Sequence, residues 1–526
     1  LEESFSKQIG DYCEANGLTW TGHYNGENAF RSVQMNVGNM MIQYRHMQRP
    51  GIDKLGLHVG SMSDVHMMRT LSSVANQYGR ARRLSEMFGI SGHNMTFEDR
   101  KWIADAHAVL GVNHICPHLS LYSMKGCRKR DYPPTLSPQQ PYWSDNGLVE
   151  DYMARVSYLS SVGTYAAELL LLHPIESAYI DNRNSNQPGD LDTGNERFND
   201  FCNILQALQQ NHRDYDLGDE EILRDIAVIE DGSLQVGEMS YPAVVLPPMR
   251  TIRATTVELL CRLAAAGGKV LAVGSLPDLV DGEPNPSILE SLADATDVIA
   301  LDDLAQRLPP AVVLTGTERE HAWTMRRIVD GSELLMLSNQ SRLVTARLET
   351  RFTAAADAPL VWDPANGKRL EATPNPDASV SLELAPAQTL FVSTGALSSS
   401  TETSDKYRPP AAGSPCFELS GSWTGKRLDA NAITLDFARY STNGGARFTA
   451  PEPVLGIYQR FGQQHYNGPL QLADDMDVVD VPSACDLVLE QPEMFRRISI
   501  NGHDVHFDDN RTYRDIAFRR TNVASC

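Results

Sequence analysis

No stretch of about 18 consecutive apolar residues exists in this chain, so no membrane-spanning helix is expected. The N-terminus, Leu1-Glu2-Glu3-Ser4-Phe5, has neither the basic nor the apolar region of a signal peptide. Cysteine is sparse, with eight in 526 residues. No two form a C-x-x-C pair, which argues against a disulfide framework and against a thiolate zinc site. Positive charge is in deficit: 46 Lys and Arg face 67 Asp and Glu, a net charge of −21. That balance argues against a nucleic-acid binder, which would show a basic face. H-E-x-x-H and G-x-G-x-x-G are both missing, so neither a zinc protease nor a dinucleotide site is expected. The compartment stays open, and the composition is compatible with an oligomer.

What is present is alternation. The length predicts three to four domains. Over residues 1–190, strand-like runs alternate with helix-like ones. Leu18 to His23, Arg83 to Gly89, Val112 to His118 and Ala167 to Pro174 read as strands. Thr96 reads as the cap of a helix whose inner face carries Trp102, Ile103, Ala106, Val109 and Leu110. Strand–helix alternation predicts a parallel sheet. Polar residues gather at the strand C-terminal ends, where a (β/α)₈ barrel keeps its active site. Only four or five strands can be counted and the chain opens inside a helix, so the expectation is the C-terminal half of a TIM barrel. Residues 191–328 read as a Rossmann-like, amidotransferase-like α/β domain, with strands at Tyr241–Pro247 and Lys269–Gly274 around a helix from Thr255 to Ala266. Residues 329–400 read as a small β domain. After a Ser/Thr/Pro/Gly-rich linker, residues 410–526 alternate again and read as a jelly-roll β-sandwich, expected to be cut short. The fold class is thus α/β plus all-β.

Five segments resemble glycoside hydrolase family 106, the α-L-rhamnosidase-like multidomain enzymes: Thr21-Gly22-His23-Tyr24, Arg49 to Gly56, Leu84 to Gly89, Arg128 to Pro134, and Leu172 to Ser177. In the tail, Leu487-Val488-Leu489-Glu490 followed by Ile500-Asn501-Gly502 resembles the sugar-binding jelly-roll of the family 2 β-glycosidases. The resemblance implies a glycosidase acting on an oligosaccharide or glycoside by inversion, and it makes calcium a candidate cofactor. No loop has the dense acidic spacing of a dedicated calcium site. The family 42 β-galactosidases, a barrel followed by an amidotransferase-like domain, are the rival, and a carbohydrate-binding protein without chemistry is the alternative from another class.

Glycoside hydrolysis needs two carboxyl groups flanking the bond. Glu86, ending a short strand, is the first candidate; its alternative is a strand-end salt bridge. Glu27, in a Gly-containing loop after a strand, is the second; its alternative is a solvated acid. Asp53, in the rigid turn Pro50-Gly51-Ile52-Asp53, and Glu176, just past the last barrel strand, compete for the second role; otherwise they serve as a turn residue and a helix cap. His23, His118 and His173 lie at strand ends, where imidazoles bond sugar hydroxyls or a carboxyl partner. Tyr122 and Trp143 sit in strand-end loops and could stack on sugar faces. His114 and His118 stand four apart on a strand without converging as zinc ligands would. The run Arg128-Lys129-Arg130 could meet an acidic sugar such as a uronate, although such runs are more often solvated.

Overall fold

A computed structural model gives the fold. It describes residues 1–130, 132, 136–181, 196–353, 359–395, 397, 405–408, 420–427, 429–508 and 510–526. The chain divides into two compact units, Leu1–Ala411 and Ala412–Cys526.

The first unit opens with a parallel sheet of four strands in chain order: β1 (Thr21–Gly22), β2 (Arg49–Asp53), β3 (Leu84–Met87) and β4 (His114–Pro117). Helices follow β2 and β3, and both start on capping boxes: Ser61 with Asp64 before Met62–Gln77, and Thr96 with Asp99 before Phe97–Val109. Each box satisfies two backbone N–H groups that the first helical turn leaves open. Ile52, Ser85 and Met87 are fully buried on one face of the sheet. Alternation then places Asp53, Glu86 and Cys116 on the other face, and their register puts all three in one row. Among the described residues the sheet does not close; β1 and β4 are its edges.

β2 differs from expectation. Pro50 has no N–H to give a ladder, so the sequence pointed to a turn; instead Pro50 pairs with Gly22 inside the sheet. Gly51 makes this approach feasible, because a Cβ there would stand 2.5 Å from the Gly22 carbonyl oxygen.

A second parallel sheet has five strands, spatially Asp297–Ile299, Lys269–Val273, Ala243–Leu246, Leu169–Leu172 and Tyr215–Gly218. Numbered along the chain this is the doubly wound order 2-1-3-4-5. It corrects one expectation: Leu169–Leu172 is not a barrel strand but pairs with Ala243–Leu246 and Tyr215–Gly218. All four leucines are fully buried. An apolar run covered on both faces suits either parallel sheet, so periodicity alone could not assign it.

The Met62–Gln77 helix is buried at every position from Asp64 to Gln77 and contacts both β2 and Tyr215–Gly218. That strand is an edge of its sheet, and the helix satisfies it: Ser73 Oγ accepts from the Leu217 N–H (2.7 Å), while Gln77 Nε2 donates to the Leu217 carbonyl (2.9 Å).

The unit also contains a two-layer antiparallel β region. A six-stranded sheet, from Lys368–Glu371 at one edge to Thr164–Tyr165 at the other, shares a core with the three-stranded sheet of Val312–Thr317, Ala346–Phe352 and Val380–Leu384. Apart from Thr164–Tyr165, these strands start at Val312, before the expected onset at 329.

The second unit carries small antiparallel sheets, including Phe437–Ser441 with Gln471–Ala473 and Asp486–Glu490 with Asp515–Asn522, and a helix at Val454–Gln463. The expected domain boundary at 190/191 and most of the 395–415 linker lie outside the described residues.

Candidate active site

The C-terminal ends of β1, β2 and β3 bring His23, Asp53 and Glu86 together: one side-chain donor atom from each lies within 4.8 Å of the other two. Parallel strands in register do this, because every strand delivers its last inward residue to the same end of the sheet. His23 Nε2 stands 3.1 Å from Glu86 Oε2, and His118 Nε2 stands 3.8 Å from Glu86 Oε1. Glu86 is therefore flanked by two imidazoles.

His23 Nδ1 donates to the Tyr24 carbonyl at 2.8 Å. With Nε2 facing a carboxylate, both ring nitrogens face acceptors, which favours the imidazolium. Burial works against that charge, but the Tyr24 carbonyl and the carboxylates of Glu27, Asp53 and Glu86 outweigh it and raise the His23 pKa above its ordinary value. Asp53 is also pushed up, first by burial and then by Glu86, against the pull of His23, His118 and Lys54. Among the described residues its Oδ1 is buried without a hydrogen-bond partner.

Glu27 is next to this group but enclosed, with 4% of its surface exposed. Its Oε1 accepts from Tyr44 Oη (2.6 Å) and the Tyr24 N–H (3.1 Å), and its Oε2 from the Asp53 N–H (2.8 Å). Burial pushes its pKa up to about 7 against these three donors. Glu27 thus clamps the ends of β1 and β2 and faces no open space, unlike the solvated loop acid or catalytic group expected.

Immediately after β3, Phe88 (φ 74°) and Ile90 (φ 60°) adopt left-handed backbone conformations. Bulky and β-branched residues rarely do so, and strain of this kind gathers at functional sites.

The remaining candidates are not in this group. His173 is 2% exposed and stacks on His66, with Nε2 to Nε2 2.9 Å and ring planes 11° apart, among Phe30 and Phe201. Burial holds both histidines below their ordinary pKa, His66 at about 4. Glu176 is paired with Arg253, whose Nε donates at 2.7 Å. Both residues follow the Leu169–Leu172 strand into the second sheet, so the misassigned strand carried them away from the mouth. Tyr122 (90% exposed) and Trp143 (39% exposed) lie in the loop after β4, and neither has a hydrogen bond or ring contact with the Glu86 group.

Sequence reasoning missed three neighbours. Tyr44 braces Glu27. Tyr132 sets its ring 5.6 Å from that of His118. Cys116 shares the cross-strand row of Asp53 and Glu86; its place two residues before His118 on an alternating strand was the available signal. Asp131, Pro133 and Pro134 of the Arg128–Pro134 segment lie outside the described residues.

Calcium, suggested by the family resemblance, takes six to eight oxygen ligands. This group offers two carboxylates and one imidazole whose nitrogens already face Tyr24 and Glu86. The donor set does not fit that ion.

No known protein-family model matches the chain, and no curated protein matches it in sequence. Solved structures do match in fold. A rhamnosidase from Novosphingobium sp. PP1Y aligns at a TM-score of 0.59 and 17% identity, over 86% of this chain and 43% of that one. Gan42B, a GH42 β-galactosidase from G. stearothermophilus, aligns at a TM-score of 0.52 and 10% identity, over 74% of this chain and 67% of that one. The chain thus spans less than half the length of the rhamnosidase it matches, and what it shares with both enzymes is a mixed α/β architecture with several β sheets.

Proposed function

We propose that this chain carries the carboxyl groups of a glycoside hydrolase, with Glu86 as nucleophile and Asp53, rather than Glu27, as its acid partner. The observation that carries the reading is the convergence of Asp53, Glu86 and His23 at the C-terminal ends of three adjacent parallel strands. Two imidazoles flank Glu86, with His23 Nε2 at 3.1 Å and His118 Nε2 at 3.8 Å. The raised pKa of Asp53 suits a group that must hold a proton to give to a leaving oxygen. In this reading Asp53 protonates the glycosidic oxygen as the C–O bond breaks. Glu86 takes up the anomeric carbon, and water, deprotonated by Asp53, releases the sugar.

The spacing has a stereochemical corollary. Carboxyl groups about 5–5.5 Å apart retain configuration, whereas about 6.5–9.5 Å leaves room for an attacking water. One oxygen of each carboxylate lies within 4.8 Å of the other, a close approach that supports retention, against the inversion implied by the family resemblance. An α-L-rhamnosidase-like substrate is the finer proposal, supported by the segments around His23, Asp53 and Glu86; a β-galactosidase-type substrate is the alternative. The half-barrel, amidotransferase-like and jelly-roll domain assignments belong to the same proposal.

The test is turnover of a panel of aryl glycosides by the wild type, Glu86→Gln and Asp53→Asn. Loss of turnover in both variants with retention of anomeric configuration supports the pair. Unchanged turnover in Glu86→Gln sinks the reading, and an inverted product removes Asp53 from the pair. A carbohydrate-binding protein without chemistry would bind sugars and cleave none of the panel.

A further inference from the structure

The sign of charge reverses around the candidate site. About one residue in eight of this chain is Asp or Glu. Yet the loops leaving the C-terminal ends of β2, β3 and β4 contain none until Asp64, Glu98 and Asp131 respectively. Over the same spans they hold Lys54, His58, His93, Lys125, Arg128, Lys129 and Arg130. Lys54 is neutralised by Asp64 at 3.0 Å. Lys125 and Arg128 are exposed and join no ion pair among the described residues.

The basic stretch is anchored over the sheet rather than hanging away from it. His93, in the loop after β3, donates from Nε2 to the Lys129 carbonyl at 3.2 Å. Tyr132, two residues beyond Arg130, meets the His118 ring, and His118 faces Glu86. Two residues of chain span about 7 Å, comparable to the reach of one arginine side chain. The stretch is thus tied to the rim of the Glu86 group through Tyr132 and His118.

We infer that the site takes an anionic saccharide, one bearing a carboxylate or a sulfate on a sugar next to the bond addressed by Glu86, and that Lys125 and Arg128 recognise that group. This rests on the glycosidase reading of the same site. A neutral glycan would gain nothing from a basic rim. In a protein of net charge −21, an anionic one is drawn to a locally basic rim against the overall repulsion, so the local field both steers and selects. Arginine presents a planar fork that matches either oxyanion.

The test is calorimetric binding to Glu86→Gln, which holds ligand without turnover. Probes are oligogalacturonate for the carboxylate, κ-carrageenan oligosaccharide for the sulfate, and malto-oligosaccharide as the neutral control. We expect one anionic probe to bind at least about tenfold tighter than the neutral one, equivalent to about 1.4 kcal/mol. The preference should weaken between roughly 50 and 500 mM salt and disappear in Lys125→Ser/Arg128→Ser; the arm that binds identifies the anion. Equal binding of all three probes, or a preference that survives the double substitution, overturns the inference. The two readings fail separately: cleavage of neutral glycosides without anionic preference removes only this one. Anionic preference with no glycoside cleaved by the wild type removes only the enzymatic one.

Discussion

His23 Nε2 faces Glu86 at 3.1 Å while His23 Nδ1 holds the Tyr24 carbonyl at 2.8 Å. A ring fixed at one nitrogen to backbone has a defined plane, so the other nitrogen approaches the carboxylate with little freedom. His23→Asn should therefore lower kcat by roughly 10- to 100-fold, less than the loss of a group that itself transfers the proton. The His23 pKa is raised, so the imidazolium should persist above the ordinary histidine range. We expect the alkaline limb of the kcat/KM profile to lie above pH 6.5 in the wild type and to change in the variant. A limb identical in both proteins would remove His23 from that role.

Glu27→Gln separates bracing from chemistry. Three donors converge on Glu27, and an amide can accept at only one of its two ends. Either the Asp53 N–H or the Tyr44–Tyr24 side must then face another donor, at a cost of about 1–3 kcal/mol. The expected result is a lower melting temperature together with a kcat loss smaller than that of Glu86→Gln. Full loss of turnover with an unchanged melting temperature would return Glu27 to a catalytic role.

Glu176→Gln should leave turnover untouched. The carboxylate is bound to Arg253 beside the second sheet, and a partly exposed pair of this kind contributes about 1 kcal/mol or less. Steady-state kinetics on the best aryl glycoside check this directly, and a drop of more than tenfold would place the site elsewhere.

His66 supplies an acid sensitivity whose sign can be worked out. Its pKa is about 4 when folded and near the ordinary 6.5 when unfolded. Between those values the unfolded chain binds the proton and the folded chain does not. Its contribution is therefore full above pH 6.5 and lost as the pH falls towards 4, roughly 3 kcal/mol in all. Glu27, Asp214 and Glu220, each raised to about 7 mainly by burial, act oppositely, favouring the fold at low pH and losing that contribution as the pH rises to about 7. Comparing His66→Leu with the wild type isolates the histidine: melting temperatures should fall less in the variant from pH 7 to pH 5. Parallel curves would contradict it.

The parallel strands and their helices were legible because hydrophobic period and capping chemistry are local. Thr96 announced a helix that the structure confirms, and the strand ending in Glu86 was readable from its apolar run. Two things were not. Pro50 and Gly51 argue for a turn in any isolated stretch; only the close approach to Gly22 makes them a strand. Leu169–Leu172 is a buried strand by composition, but the choice between two parallel sheets depends on partners some 50 to 75 residues away, at Tyr215 and Ala243. Site membership inherits both errors. Asp53 gained a place in the group when its turn became a strand, and His173 and Glu176 lost theirs when their strand changed sheets.

The helix that seals Leu217 has a consequence for how such proteins can diversify. Ser73 and Gln77 belong to the sequence between β2 and β3, yet they complete the edge of a sheet whose strands come much later in the chain. Exchanging residues 1–130 with a relative by recombination would leave that edge without its seal unless matching side chains arrived at the same helical positions. An unsealed edge strand invites pairing with other chains. The two sheets are thus bound to be inherited together, and chimaeras joined between them should be recovered as aggregates rather than as folded hybrids.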